Sequence, residues 1–229
     1  MRKKLLILTK SNKKRHDGQT YGKCVAGVSL DPSDNFKWFR LVADANGDSL
    51  LDSQFPYSPL DIIDVELYPC PLNNQTENCR FNIYGKVGSK TISELNNIFG
   101  EMPHSFFGNM NDYVINPRNS LTVFFAKNLH IYWLERAGKM YQKVDFDMGS
   151  NHAVGISMTD PEHYTSKEKN GTKDIPMAIC VASLPSAPSF MNHYNKFIAT
   201  IFPVESMFPP HRYYNTPSAS TDSDILIPF

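Results

Sequence analysis

The sequence predicts a mainly β protein that consists of two small β-barrels in tandem, of the OB-like or SH3-like kind, with one short helix between them. Short apolar runs separated by Gly, Pro, Asn and Asp dominate the chain, and this pattern is typical of strands and turns. A single segment has a clear helical pattern. It divides the chain into halves with about five or six candidate strands each, which is the strand count of a small barrel.

The first half begins with an apolar run and continues with four more strand-like segments. Its candidate strands lie at 3–9, 23–30, 36–42, 62–68 and 79–84. The helix follows, because T-I-S-E from Thr91 to Glu94 is a capping box, with Leu95 and Phe99 at helical spacing behind it. Strands then resume, and the second half contains candidates at 121–125, 129–134, 140–147, 153–158, 177–184 and 196–202.

These elements predict three parts of the chain. Residues 1–100 form the first barrel with its linker helix, residues 101–204 form the second barrel, and residues 205–229 form a flexible tail rich in Pro and Ser. The tail closes with the apolar segment 225–229, which either docks back on the protein or binds a protein partner at an edge or groove. A faint similarity between the segments at Cys24 and Cys180 hints at a repeat.

Charge is balanced over the whole chain but unevenly spread. Residues 1–40 hold ten Lys or Arg and three Asp, a balance of +7, while the chain as a whole has a net charge of zero. The basic segment indicates an anionic partner or a solvated basic arm. The four cysteines are scattered, and no apolar stretch has the length of a membrane span. We therefore expect a reduced cytoplasmic protein that does not associate with a membrane.

Recognised catalytic motifs are missing from the sequence. It contains no G-x-S-x-G, Walker loop, G-x-G-x-x-G or H-E-x-x-H. The seven histidines show no metal-ligand spacing to each other or to cysteine. The sequence therefore favours a non-catalytic protein without a metal or other cofactor.

The strand N-F-K-W-F-R-L-V, from Asn35 to Val42, is the segment whose side chains are most informative. Phe36, Trp38 and Arg40 share one face by the period-2 rule. Such a face suits a flat anionic ligand, and it equally suits a sheet that packs on a core. We expect Trp38 to fill the barrel and Arg40, near the strand end, to contact a ligand.

Three polar segments are further candidates. Gln75, Glu77 and Asn78 could read base edges or a ribose, or could bond the local backbone of a polar loop. Thr159 and Asp160 precede a proline at a strand end, where they could face a ligand or form a structural turn. Near the end of the second half, Tyr194 and Lys196 are expected to share a strand face.

Eight segments, in order, resemble the dual OB-containing domain family of bacterial proteins and span about residues 4–202. They are L-L-I-L-T-K-S, Y-G-K-C-V-A-G-V, W-F-R-L-V, P-L-D-I-I-D-V-E-L, Q-T-E-N, G-N-M-N-D, M-T-D-P and Y-N-K-F-I-A-T-I. The resemblance implies two OB-like barrels in tandem and a nucleic-acid or nucleotide-binding role, often beside prokaryotic conflict or phage-defence genes. The family's recurring polar positions correspond to Arg40, Gln75, Glu77, Asn78, Asn109, Thr159, Asp160 and Lys196. The chain departs from the family at 143–148, which is more acidic than usual.

The leading hypothesis is a non-catalytic module that binds single-stranded nucleic acid or a nucleotide-like ligand. Phe36, Trp38 or Phe39 would stack on bases. Besides Arg40, the residues expected to contact phosphates are Lys10, Lys13, Lys14 and Arg15. Two alternatives remain: a nucleotide- or nucleic-acid-processing enzyme in which Glu77 and Asp160 converge, and a protein-interaction adaptor that docks through 225–229.

Overall fold

A computed structural model describes residues 1–100, 106–166, 171–189 and 192–205. Within these ranges the protein has twelve strands and one α-helix, α1 (Ile92–Phe99). The strands are β1 (Arg2–Lys14), β2 (Tyr21–Ser29), β3 (Trp38–Leu41), β4 (Asp61–Pro69), β5 (Asn78–Ser89), β6 (Tyr113–Ile115), β7 (Leu121–Arg136), β8 (Lys139–Met148), β9 (Asn151–Met158), β10 (Lys173–Ser183), β11 (His193–Asn195) and β12 (Phe197–Pro203). The predicted mainly β fold is confirmed. The expected tail lies outside the described residues.

The first barrel consists of β1 to β5 in the closed order β1-β2-β3-β5-β4. Strands β3 and β5 pair in parallel, and the other neighbours are antiparallel. Alternate residues of each strand point inward, so Leu5 and Ile7 meet Phe39 and Val65 in a buried core.

The second barrel repeats this topology. Its closed order is β7-β8-β9-β12-β10, and its third and fifth strands, β9 and β12, are again parallel. The similarity between the Cys24 and Cys180 segments does not reflect this repeat, because Cys24 lies in the second strand of one barrel and Cys180 in the fourth strand of the other. The repeat is therefore one of topology.

Two details of the second half differ from the sequence-based expectation. The candidates at 121–125 and 129–134 are one strand, β7, with an irregularity between Lys127 and His130. Tyr194 and Lys196 do not share a strand, because Tyr194 pairs with β6 through β11 and Lys196 lies between β11 and β12. Helix α1 begins as predicted, since the Thr91 side chain accepts a hydrogen bond from the Glu94 N–H in a capping box.

A third apolar cluster joins the two barrels. Leu6 and Leu8 of β1 point out of the first barrel and pack with Leu95 and Phe99 of α1. The cluster, called here the inter-barrel cluster, is completed by Val28, Val123, Phe125, Ile179, Val181, Ala199 and Phe202. The barrels therefore share an apolar interface that buries one face of each.

Trp38 lies at this interface, which corrects the expectation that it fills the first barrel. Its neighbour Phe39 is buried in the barrel core, whereas Trp38 and Phe36 are partly buried against the inter-barrel cluster. The predicted alternation is right, but the two faces have different partners. One face of the strand belongs to the first barrel and the other meets the second.

Candidate ligand-binding surface

Arg40 is buried at the junction between the barrels. Its Nε lies 3.1 Å from Glu77 Oε1, its Nη1 donates to Cys24 Sγ at 2.7 Å, and its Nη2 donates to Ser120 Oγ at 2.7 Å. The Ser120 hydroxyl also donates to the same Glu77 oxygen. Because Ser120 directly precedes β7 and Glu77 directly precedes β5, this network ties β3 and the start of β5 in the first barrel to the second barrel.

The loop between β4 and β5 makes further contacts across the junction. Gln75 Nε2 donates to the Leu184 carbonyl at 3.0 Å, and Asn73 Nδ2 donates to the Ser186 carbonyl at 3.1 Å. Asn78 is fully buried and donates to Gln75 Oε1 at 3.4 Å. The amides of this loop therefore bond the second barrel and each other.

Thr159 and Asp160 close the second barrel where β9 ends. The Thr159 N–H donates to the Ile198 carbonyl at 2.9 Å. Asp160 is buried, and its Oδ2 accepts from the Ile201 N–H at 2.7 Å and lies 3.1 Å from His163 Nδ1. This carboxylate satisfies backbone and imidazole groups that would otherwise be buried without partners.

Lys196 and Asn109 form a fourth contact set. The Lys196 ammonium is buried and donates to the carbonyls of Phe106, at 3.2 Å, and Asn109, at 2.7 Å. It also donates to Asn109 Oδ1 at 2.9 Å and lies 4.2 Å from the centre of the Phe106 ring. Burial lowers the pKa of this ammonium to about 8. The lysine anchors the segment that leads into β6.

The eight polar residues thus have internal partners, and their contact with a ligand stays a prediction. The structure brings Arg40, Glu77, Gln75 and Asn78 to one junction. Asp160 bonds a separate set of groups, and within the described ranges no hydrogen bond or ion pair joins it to Glu77. The convergence of carboxylates that the enzyme alternative needs is not among these contacts.

Two of the four basic residues predicted to contact phosphates are paired with carboxylates. Lys10 lies 3.3 Å from Asp52, and Arg15 lies 2.8 Å from Asp48. Both carboxylates follow β3 in the chain. The positive charge that the first 40 residues carry is therefore partly neutralised by the rest of the first barrel.

Lys13 and Lys14 differ in exposure. Lys13 Nζ donates to the Gly47 carbonyl at 3.2 Å, and burial lowers the pKa of this ammonium. Lys14 is exposed at the end of β1. Of the four cations predicted to contact phosphates, Lys14 is the one whose side chain the described residues leave without a hydrogen bond or ion pair.

OB barrels generally bind ligands on the face of their second and third strands and on the adjoining loops. In the first barrel this face is covered: Val28 of β2 and Trp38 of β3 pack on the inter-barrel cluster, and Arg40 reaches Ser120. The β4–β5 loop is engaged as well, through Gln75. The second barrel therefore occupies the place where a ligand of the first would lie.

The second barrel contributes other strands to the interface and leaves its own second and third strands, β8 and β9, outside the inter-barrel cluster. Val144 of β8 and Ile156 of β9 point into the core, so their neighbours point outward. The outward side chains, together with those of the paired part of β7, form what we call the ring face: His130, Tyr132, Leu134, Tyr141, Lys143, Asp145, Asp147, His152 and Val154.

Several aromatic side chains of the ring face are accessible. Tyr141 is 44% exposed, and His130 and His152 are exposed as well. The His130 and Tyr132 rings are stacked, with centroids 5.5 Å apart. The hairpin between β7 and β8 places the exposed cations Arg136 and Lys139 at one end of this face.

The carboxylates of the ring face are bonded within the protein. Asp145 Oδ1 accepts from the Tyr132 hydroxyl at 3.0 Å, and Asp147 lies 2.6 Å from His152 Nδ1. Hydrogen bonds to Asp147 from Asn128 and His152 lower the pKa of its carboxyl. These acids orient the rings beside them, and the acidic 143–148 segment noted in the sequence is the strand that carries them.

The fold places the protein in the class of OB-fold proteins, because both of its five-stranded barrels have the strand order of the OB fold. The chain belongs to DuOB, the dual OB-containing domain family, whose model matches residues 3–201. The predicted family is confirmed. No curated protein and no solved structure matches the chain.

Two general properties can be stated for the ranges that the structure covers. No helix there combines the length and apolar character needed to span a membrane. No group of three or more His, Cys, Asp or Glu side chains converges there in a way that could hold a metal ion.

Proposed function

We propose that the protein is a non-catalytic OB module that binds single-stranded nucleic acid on the ring face of its second barrel. One observation carries this proposal: the ligand face of the first barrel is covered by the second barrel, whereas the inter-barrel cluster leaves β8 and β9 free. The free face has the stackable rings that OB proteins use for unpaired bases.

Stacking is the main source of affinity in this proposal. Each base that stacks on an aromatic side chain contributes about 1–3 kcal/mol. Tyr141 is the more exposed of the two tyrosines of the ring face, so it is the first stacking partner. Arg136 and Lys139 at the hairpin tip can reach phosphates of the same strand.

Electrostatics contribute less than the sequence suggests. Lys143 donates to Ser157 Oγ at 2.9 Å, and burial lowers the pKa of its ammonium, which leaves Arg136 and Lys139 as the cations nearest the ligand. Two phosphate contacts on a single strand give a slope of log K against log salt of about −1.4. Binding through the N-terminal basic residues would give a steeper slope.

A titration of the full chain with fluorescent oligo-dT and oligo-U tests the proposal. Tyr141→Ala should weaken binding by about 5- to 150-fold, which corresponds to the loss of one stacked base. The control is Tyr21→Ala, because Tyr21 is 70% exposed but lies on the first barrel near Lys14. A loss of affinity in Tyr21→Ala with none in Tyr141→Ala would refute the ring face as the site.

Free nucleotides in the same titration separate a strand-binding protein from a nucleotide-binding one.

A cytoplasmic location fits this role, since Cys24, Cys70, Cys79 and Cys180 are free thiols that suit a reducing compartment. The association with phage defence rests on the family resemblance and stays a prediction. The protein partner expected for residues 225–229 lies outside the described residues.

A further inference from the structure

Each barrel closes through a short parallel seam between its third and fifth strands. The seam is formed by two residue pairs in each case, and just beyond it one more backbone hydrogen bond follows. The Val42 N–H donates to the Cys79 carbonyl at 3.0 Å, and the Thr159 N–H donates to the Ile198 carbonyl at 2.9 Å. Val42 and Thr159 are therefore equivalent positions.

In the second barrel an acidic side chain continues the seam. The residue after Thr159 is Asp160, whose carboxylate accepts from the Ile201 N–H at 2.7 Å. The backbone of β12 is thereby satisfied although β9 has already ended. This barrel carries its own carboxylate at the point where its seam stops.

In the first barrel the equivalent residue is Ala43, whose methyl side chain cannot accept a hydrogen bond from a neighbouring strand. The chain turns away there, because the Ala43 N–H donates to the Asp48 carbonyl at 2.9 Å. Strand β5, in contrast, continues to Ser89. Its seam-side edge beyond Cys79 is therefore left open by the described residues.

The backbone of Phe81 faces this opening. Backbone groups alternate in direction along a strand, so Phe81 points to the same side as Cys79, whose carbonyl bonds Val42. Its partner across the β4–β5 ladder is Leu67, and the Leu67 N–H donates away from β5, to the Met1 carbonyl at 2.7 Å. Among the described residues the Phe81 N–H thus has no acceptor on this side, where the equivalent position in the second barrel, the Ile201 N–H, donates to Asp160.

An open cleft of about 480 Å³ lies along this edge. Its lining includes the apolar residues Ala43, Leu50 and Phe81 and the polar residues Gln54, Arg80 and Asn82. Arg80 is exposed, and its guanidinium has no hydrogen bond or ion pair with any residue that the structure describes. The cleft therefore combines an unpaired guanidinium, a free backbone donor and an apolar floor.

We propose that this seam cleft binds an extended peptide segment of a partner protein in which an acidic residue is flanked by apolar ones. The peptide adds to the open edge of β5, and its carboxylate accepts from Arg80 and from the Phe81 N–H, as Asp160 accepts from Ile201. An apolar neighbour of the acidic residue packs over Leu50. This proposal does not depend on nucleic-acid binding by the ring face.

The test uses the full chain and a synthetic peptide, acetyl-Thr-Val-Glu-Val-Ile-Thr-amide, with the same peptide carrying Gln for Glu as its control. Binding is followed by the chemical shift of the Phe81 amide and by a titration. We expect the Phe81 amide to shift with the acidic peptide and the Gln peptide to bind about tenfold more weakly or worse. An unchanged Phe81 amide, or equal affinity for both peptides, would overturn the proposal.

Two variants locate the interaction. Arg80→Gln should weaken binding about tenfold or more, while Lys86→Gln, which removes a cation from the same strand, should leave it unchanged. Ala43→Asp should supply the missing carboxylate and abolish peptide binding. Equal losses in Arg80→Gln and Lys86→Gln, or displacement of the peptide by a nucleoside monophosphate, would count against a peptide site.

Discussion

Replacement of Arg40 by leucine should destabilise the whole chain, because this side chain joins the barrels from a buried position. The substitution leaves Glu77 buried with the Ser120 hydroxyl as its partner and without a compensating cation. Removing one partner of a buried ion pair costs about 3–5 kcal/mol. For a chain of this length, 1 kcal/mol corresponds to roughly 2–4 °C, so the melting temperature should fall by about 6–20 °C.

Urea and thermal unfolding of the full chain, followed by circular dichroism, measure this loss. The double variant Arg40→Leu with Glu77→Met should be more stable than the Arg40→Leu single variant, since replacing a whole buried pair by apolar residues is often neutral. The unfolding free energy of Arg40→Leu could instead lie within about 1 kcal/mol of the original value while the variant no longer binds nucleic acid. In that case Arg40 does not stabilise the junction between the barrels and acts mainly on the ligand.

Three further predictions concern single side chains. Asp160→Ala should lower the unfolding free energy by about 2–3 kcal/mol, because it leaves the Ile201 N–H without its acceptor; a urea midpoint equal to that of the original chain would contradict this. Lys196→Met should cost about 2–3 kcal/mol in the same assay through the loss of its buried hydrogen bonds, and an unchanged midpoint would show that these bonds contribute nothing. Hydrogen bonds from Lys90 and the helix N-cap lower the pKa of Glu94 to about 2, so its stabilisation should be present above pH 4.5 and lost as the pH falls toward 2. The difference in stability from Glu94→Gln should vanish over that range, and a constant difference would exclude the ionised carboxylate as its source.

The strands and the helix could be predicted from the sequence because their signals are local. A capping box at Thr91 fixes the start of α1 without reference to the rest of the chain. Alternation likewise placed Phe36 and Trp38 on one face and Phe39 on the other. It could not show that the first face meets a second barrel, since that depends on residues such as Val123 and Phe125, far along the chain.

The same reason explains why the sequence points to a different surface from the one that the structure leaves accessible. Arg40, Gln75 and Asp160 are polar residue types that suit a ligand, and the sequence does not reveal that their partners are internal, such as Ser120 and Leu184. The ring face was missed although β8 alternates regularly from Tyr141. Its acidic residues make the sequence look unsuitable for binding an anionic ligand. The contacts of Asp145 with Tyr132 and with the Gly155 N–H show that this carboxylate is already hydrogen-bonded within the protein.

The inter-barrel cluster has a consequence for co-translational folding of the chain. Leu6 and Leu8 belong to β1, whereas Ala199 and Phe202, which pack with them, belong to β12 and are synthesised much later. At about 5–20 residues per second, the first barrel is complete roughly 6–23 s before β12 is made. During that interval the nascent chain displays an apolar surface, so chaperone binding or co-translational self-association should concentrate there.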